Sequence, residues 1–161
     1  SRFARTPEFL VANRAAAHGL RHRRPVRLGA LGPLKIVVPS RAQARRDVLE
    51  AYFLAVGARI ERRLEIDTSL GALDFVARTD WVSVNPGISM LRTGPDAGLV
   101  VCPLVEPALM LDLYLIERAR HPRSSEADAF LAVLEQETAK ASAQAQRMME
   151  RGPSRARDQA R

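Results

Sequence analysis

The sequence predicts an α/β fold in which a mixed, mostly parallel sheet is flanked by helices. Apolar residues make up 47% of the 161 residues, so the chain can bury a core. Short β-branched runs alternate with segments of helical periodicity between Leu34 and Val84, which is typical of parallel strands joined by crossover helices. A chain of this length suits one ordinary domain or two small lobes.

The first third of the chain alternates between short ordered runs and loop. Residues 8–12 form an apolar run that predicts a strand. Residues 13–24 carry Gly19, two histidines and several arginines, which predicts a loop. Residues 25–33 predict a short helical turn closed by Gly32-Pro33.

Residues 35–57 give the clearest local signal, a strand followed by a turn and a helix. Leu34–Val38 is a β-branched run, and Pro39 ends it because proline has no N–H for a sheet ladder. Ser40 and Gln43 have the spacing of a capping box, which predicts that the helix opens at Ser40. We expect Gly57 at the C-cap. The predicted apolar face of this helix is Val48, Leu49, Tyr52, Phe53 and Val56.

The remaining segments continue the alternation of strands and helices. Residues 59–66 alternate apolar and charged side chains, which predicts a strand with one solvent-exposed face. We predict a short helix after residues 67–69, with Leu70, Leu73, Val76 and Ala77 facing inward. Further strands are expected at residues 81–84, 99–104 and 109–117, with a brief helix at 88–91. Ser124 or Ser125 is expected to cap a last helix whose apolar face is Ala127, Phe130, Leu131 and Leu134.

The formal net charge of +7 raises the hypothesis of a nucleic-acid-binding module, but the basic residues lie at the two ends of the chain. Residues 1–33 have a net charge of +6 and residues 139–161 one of +4, whereas residues 34–138 have one of −3. A phosphate-binding surface needs a basic stripe on a folded element. We therefore expect solvated termini, and residues 139–161 are predicted to be a disordered polar and basic tail.

Catalytic and metal-binding patterns are weak in this sequence. Cys102 lies within an apolar strand, which indicates a buried inert thiol, and a single cysteine allows no internal disulfide. His18 and His22 are four residues apart, but no carboxylate or cysteine accompanies them. His121 has no evident partner. We therefore predict no enzyme activity, metal or cofactor, and no apolar run approaches the roughly 20 residues of a membrane helix.

Three loops follow the carboxyl ends of predicted strands and lead into helices: Ser40-Arg41, Asp67-Thr68-Ser69 and Asn85-Pro86-Gly87. Helix N-termini present free N–H groups and the positive end of the helix dipole, which favour an anion. Arg41 adds a charge that can pair with a carboxylate. Ligands of parallel sheets bind beyond the carboxyl ends of the strands. For each of these residues, helix capping alone is the more common explanation, and the hypothesis of a ligand site rests on three such loops converging on one edge.

The order of several segments resembles the effector-binding domain of LysR-type transcriptional regulators. The run LKIVVPSR at residues 34–41 is similar to the opening of that domain's second lobe. The other similar segments are PVRLGAL (25–31), RLEIDTSLGAL (63–73), VSVNP (82–86), GLVVCPL (98–104), LYLI (113–116) and the helix at 124–134. The resemblance covers residues 8–137.

The resemblance implies a type 2 periplasmic-binding-protein-like fold with two lobes, a hinge and a small-molecule cleft. It assigns residues 34–107 to the second lobe, residues 1–33 to the end of the first lobe and the crossover, and residues 108–138 to the return strand and last helix of the first lobe. The implied effector is an organic acid or other anion. The implied effector-binding residues are Asp67, Thr68, Ser69, Asn85 and Pro86, with Ser40 and Arg41 on the same rim.

The resemblance also implies a cytoplasmic homo-oligomer that reaches DNA through an N-terminal winged helix-turn-helix. The winged helix-turn-helix and the first part of lobe one have no counterpart in the sequence, so we expect no DNA-reading element here. We expect the strand edge exposed by their absence to drive self-association. The alternative function is a stand-alone solute-binding or enzyme domain on the same two-lobed fold.

Overall fold

The computed structural model describes residues 2–16, 18–93, 95–117 and 122–150. The strands of this part are β1 (Arg2–Asn13), β2 (Leu34–Val38), β3 (Ile60–Glu65), β4 (Val82–Pro86), β5 (Leu99–Pro103) and β6 (Met110–Tyr114). Its α-helices are α1 (Ala44–Ala55), α2 (Ser69–Ala77), α3 (Gly87–Met90) and α4 (Ser125–Glu150), and single 3-10 turns lie at Leu28–Ala30 and Pro95–Ala97. No helix of the described residues is both long and apolar enough to cross a membrane.

The strands form a mixed sheet in the order β3-β2-β4-β1-β5. β2 is parallel to β3 and β4, whereas β1 is antiparallel to both β4 and β5, so four of these five strands point the same way. The predicted mixed, mostly parallel sheet with flanking helices is therefore confirmed. β6 lies off this path and pairs with the first half of β1, from Arg2 to Pro7.

Two apolar layers cover the two faces of the sheet. On one face, α1 contributes Leu49, Tyr52 and Phe53, which pack on β2, β4 and the turn at Leu28. On the other face, α2, α3 and the end of α4 pack on Phe9 and Val11 of β1. Alternate β1 residues thus enter opposite layers, as the pleat of a strand requires.

The resemblance assigned residues 1–33 to the end of the first lobe and the crossover, and this assignment stays a prediction. Phe9 to Ala12 lie inside the sheet of β2, β3 and β4, paired with β4 on one side and with β5 on the other. The 3-10 turn at Leu28–Ala30 then packs in the same core layer as α1. The apolar run of β1 predicted a strand correctly, but its place in a sheet depends on distant partners.

The predicted strand and the glycine after the helix of this strand–turn–helix unit are confirmed. The predicted start of the helix at Ser40 is wrong. α1 begins at Ala44, and Gln43 occupies the N-cap without a side-chain cap hydrogen bond. The capping box fails because Asp67, from the end of β3, accepts the hydrogen bonds of Ser40 and Gln43. At the other end, Gly57 adopts φ +64, and the N–H groups of Gly57 and Ala58 close a Schellman motif on Leu54 and Phe53.

The predicted inward faces of three helices need correction. Val48 is 51% exposed and Leu70 is 83% exposed, whereas Leu49 and Val76 are buried as predicted. Ala72, which was not predicted to face inward, is buried as well. In α4, Ser124 does cap the helix by accepting from the Ala127 N–H, but Phe130 is 68% exposed.

The tail prediction is also wrong for residues 139–150, which continue α4. Ala145 is fully buried and Met148 nearly so, because they pack on β1 and α3. The buried face of this segment consists largely of small alanines, so the sequence pattern did not indicate that tertiary packing buries it. Residues 151–161 of the predicted tail and His121 lie outside the described residues.

Candidate functional site

The carboxyl ends of β2, β3 and β4 meet at one edge of the sheet and enclose a cleft of about 150 Å³, which we call the strand-end cleft. Its position follows from the parallel pairing, which brings the loops after these strands together. Its lining residues are Val37, Val38, Pro39, Gln43, Arg45, Ile66, Asp67, Thr68, Ser69, Ala72, Ser83, Val84, Asn85 and Pro86.

Asp67 ties two of the three predicted loops together. Its Oδ1 accepts hydrogen bonds from the Ser40 backbone N–H at 2.8 Å and from Gln43 Nε2 at 2.7 Å. The Ser40 backbone N–H, followed by the Ser40 and Gln43 side chains, lowers the pKa of this carboxyl. Asp67 therefore stays ionised at neutral pH and fixes the loop that leads into α1.

The start of α2 lies on the cleft wall. Thr68 is the N-cap, and its Oγ1 accepts from the Gly71 N–H at 3.2 Å. The backbone N–H groups of Ser69 and Leu70 form no hydrogen bond with any of the described residues. They are therefore free to receive an anionic group at the positive end of the helix dipole. Thr68 performs the predicted cap, whereas the Ser69 side chain is exposed in the cleft wall.

Asn85 and Pro86 supply the third wall at the end of β4. Asn85 is buried, with 5% of its surface exposed, and its Nδ2 donates to Ser83 Oγ at 2.7 Å. Both side chains line the cleft. A buried amide and hydroxyl at a cleft wall fix the orientation of a polar ligand. The sequence pattern identified Asn85, but Ser83 lies inside the strand, where alternation gave no signal.

Arg45 is a charged residue of the cleft that the sequence reasoning missed. It lies in the first turn of α1, and its Nε and Nη2 donate to the carboxylate of Glu8 at 2.8 to 3.1 Å. Nη2 also donates to the Val84 carbonyl at 2.9 Å. Burial raises the pKa of Glu8, and Arg45 partly offsets that rise. One sequence signal could have identified Arg45. It is a basic residue in the first turn of a helix that follows a strand ended by proline.

Arg41 does not join the other predicted residues. It lies in a separate charged pocket together with Arg46, Asp47, Glu50 and Arg63. The reason is the late start of α1, which places Arg45 rather than Arg41 at the cleft. Ser40 contributes to the cleft through its contact with Asp67 and does not line it.

The nucleophile and metal candidates occupy structural positions. Cys102 is fully buried, and burial raises the pKa of its thiol to about 11. His22 accepts a hydrogen bond from the Val101 N–H at 3.2 Å, and His18 contacts the Asp80 carbonyl at 3.0 Å. Within the described ranges, no three His, Cys, Asp or Glu side chains are grouped to hold a metal ion.

Several solved regulatory and effector-binding domains are similar in fold to this chain. The chain is similar to the CcmR regulatory domain of Synechocystis PCC6803, solved in complex with 2-PG, with a TM-score of 0.66, 19% identity and coverage of 86% of this chain and 65% of that one. For the reduced OxyR regulatory domain of Pseudomonas aeruginosa, the TM-score is 0.61, the identity 18% and the coverage 88% and 64%. For the QuiR effector-binding domain in complex with shikimate, these values are 0.57, 17%, 86% and 64%.

The chain spans less than two thirds of the length of each of these structures. No curated protein sequence matches it significantly. The family model of the LysR substrate binding domain matches residues 2–139, and this family comprises the effector-binding domains of regulators rather than enzymes. Because that match covers most of the chain, the chain belongs to the LysR substrate-binding domain family.

Proposed function

We propose that this chain is the effector-binding part of a cytoplasmic LysR-type transcription regulator and that its effector, an organic acid or other anion, binds in the strand-end cleft. The observation that carries the proposal is the convergence of three strand-end loops on one cleft that contains a helix N-terminus and a guanidinium. The proposed ligand-contacting residues are Thr68, Ser69, Asn85, Pro86 and Arg45. Asp67 and Ser40 shape the rim through their hydrogen bond.

The related structures support an anionic effector. Shikimate, which is bound in the QuiR structure, is a carboxylate. The open N–H groups at the start of α2 and the Arg45 guanidinium are the chemical groups that receive a carboxylate in proteins. A cleft of about 150 Å³ is smaller than a complete ligand pocket, which is typically about 300–1,000 Å³. It therefore fits one wall of a site that a second lobe completes.

The first experiment screens small organic acids against the full-length gene product by thermal shift, because a ligand that binds only the folded state raises the melting temperature. The tightest acid is then titrated against Ser69→Ala. We expect about tenfold weaker binding, since one hydrogen bond is lost without loss of the Thr68 cap. Ser125→Ala is the matched control, because Ser125 is likewise the first residue of its helix and lies far along the chain in α4.

We also propose that the regulator is a homo-oligomer and contacts DNA through a region outside this chain. Exposed apolar side chains at the end of β6 and on α4 support self-association: Tyr114, Ile116, Phe130 and Val133. Sedimentation velocity over a hundredfold concentration range tests this. A sedimentation coefficient that stays at the monomer value throughout would contradict the oligomer.

A further inference from the structure

Glu8 and Arg45 form a buried ion pair at the base of the strand-end cleft. Glu8 is 2% exposed, and the Arg45 guanidinium meets its carboxylate through two nitrogens, with the shortest contact between Nη2 and Oε2 at 2.8 Å. Paired contacts of this kind fix the plane of the guanidinium. The Val84 carbonyl at 2.9 Å from Nη2 holds it from a second direction.

The backbone of Glu8 is held by hydrogen bonds to neighbouring segments. The Glu8 N–H donates to the Leu109 carbonyl at 2.8 Å, and the Glu8 carbonyl accepts from the Leu104 N–H at 3.1 Å. Glu8 is also the residue at which β1 leaves β6 and begins to pair with β4, and pairing with β5 begins at Phe9. The ion pair therefore ties the Arg45 side chain to a residue whose backbone lies within the sheet.

Arg45 keeps hydrogen-bond donors for a ligand. Its Nη1 takes part in none of the contacts formed by the described residues, whereas Nε and Nη2 are occupied. The Arg45 side chain is 25% exposed and lines the cleft, while the Glu8 side chain beneath it is only 3% exposed. A molecule in the cleft therefore reaches Arg45 but not Glu8.

The charges of the cleft wall indicate what Arg45 receives. Among the described lining residues, Arg45 is the one basic side chain and Asp67 the one acidic side chain. Asp67 Oδ1 already accepts two hydrogen bonds from its own loop. A planar guanidinium with free donors is matched best by a carboxylate.

We propose that ligands of the strand-end cleft carry a carboxylate that binds Arg45, and that Glu8 is a positioning residue that orients the guanidinium and competes with the ligand for its charge. This inference rests on the proposed function of the cleft. It predicts that one variant binds carboxylates more tightly than the unaltered protein. Glu8→Gln removes the internal negative charge but keeps an oxygen that accepts from Arg45, so carboxylate affinity rises.

The experiment measures binding of matched pairs to the full-length gene product by isothermal titration calorimetry. Each pair is a carboxylate and its primary amide: benzoate with benzamide, acetate with acetamide, and shikimate with its amide. In the unaltered protein we expect the acid to bind at least tenfold more tightly than its amide. Arg45→Gln is expected to abolish this preference, and Arg45→Lys to keep the preference at lower affinity, because the charge remains without the planar fork.

Glu8→Gln is expected to strengthen binding of the acid about tenfold and to leave binding of the amide unchanged. A purely structural role of Glu8 would weaken both members of the pair. Arg63→Gln is the control, because Arg63 pairs with Glu50 at 2.9 Å in the separate charged pocket. Circular dichroism identifies variants that do not fold, and Arg45→Lys remains informative if Arg45→Gln is one of them.

The outcomes separate this inference from the proposed function. If no acid and no amide binds, the proposed function of the cleft fails and the inference fails with it. If acids bind the unaltered protein and Arg45→Gln or Arg45→Lys equally well, or if amides bind as tightly as acids, the role of Arg45 is overturned while the cleft remains a ligand site. If Glu8→Gln weakens binding of acid and amide alike, Glu8 is no competitor for Arg45.

Discussion

The two halves of β1 are continuous in sequence and differ in their strand partners and in most of their burial. Arg2 to Pro7 pair with β6, and the side chains of this half are mostly exposed or half-buried. Glu8 to Ala12 are buried throughout and pair with β4 on one side and β5 on the other. The first half leads out of the main sheet, and the second half is an interior strand of that sheet.

This difference shows where the cleft is anchored. The change of partners falls between Pro7 and Glu8, and Glu8 is the residue that holds Arg45 at the cleft. Because β1 runs opposite to β2, β3 and β4, its buried half begins at the edge where those strands end. The buried half of β1 therefore contributes Glu8, its first residue paired with β4, to the candidate site.

The largest expected effect compares two phenylalanines of the same strand. Phe9 is fully buried and Phe3 is half-buried. We expect Phe9→Ala to lower the free energy of unfolding by about 4 kcal/mol and Phe3→Ala by about 1 kcal/mol. Urea denaturation measures both values. Equal losses would contradict the division of β1 into two environments.

The next largest effect concerns Cys102, which pairs with Leu10 in the buried half. Because burial raises the pKa of its thiol to about 11 from an ordinary 9.0, the thiolate is about 100-fold scarcer at pH 8 than for a free cysteine. We expect Ellman's reagent to react slowly with the native protein and rapidly in denaturant. The sequence contains one cysteine, so the signal has a single origin. Rapid labelling of the native protein would place Cys102 outside the core.

A smaller effect tests the packing at the change of partners. A Cβ added to Gly87 would lie 2.8 Å from the Pro7 carbonyl oxygen and 2.9 Å from the Phe9 ring. We expect Gly87→Ala to lower the free energy of unfolding by about 2 kcal/mol, because backbone must move. Gly32→Ala is the control, since a Cβ there meets nothing within 4 Å, and its effect should stay within about 0.5 kcal/mol. Thermal denaturation should therefore separate the two alanine variants clearly.

The smallest effect concerns pH. Burial, followed by the charge of Arg23, lowers the pKa of His22, so its neutral form contributes stability above the unfolded value of about 6.5 that is lost as pH falls below it. With screening by solvent, we expect the protein to lose about 0.5 kcal/mol more than His22→Gln between pH 7.5 and 5.5. Comparing the two proteins removes the opposing contribution of Glu8, whose pKa is raised. Parallel pH profiles of the two proteins would contradict a lowered pKa of His22 in the folded state.

The parts of the fold that local pattern controls were predictable. The β-branched run of β2, the glycine after α1 and the cap of α2 each depend on neighbouring residues, and the structure contains all three. The exposed Phe130 and the buried Ala145 of α4 were not predictable, because they depend on which surface the helix meets.

The loops of the candidate site were predictable from the sequence, but its basic residue, Arg45, was not. Proline and polar residues after strands identified the loops at Asp67 and Asn85. Arg45 was missed because its place depends on Asp67 taking the hydrogen bonds of Ser40 and Gln43, which delays the start of α1. That contact joins residues 27 positions apart, and spacing within one segment cannot reveal it.

The most direct test of the cleft is a nuclear magnetic resonance titration of the isotope-labelled full-length gene product with the tightest carboxylate from the binding experiment. We expect the largest chemical shift changes at the Thr68, Ser69 and Asn85 amides and at the Arg45 Nε–H, with Arg41 unchanged. Changes centred on the exposed groove of α4 around Phe130, with the strand-end cleft unaffected, would contradict the account.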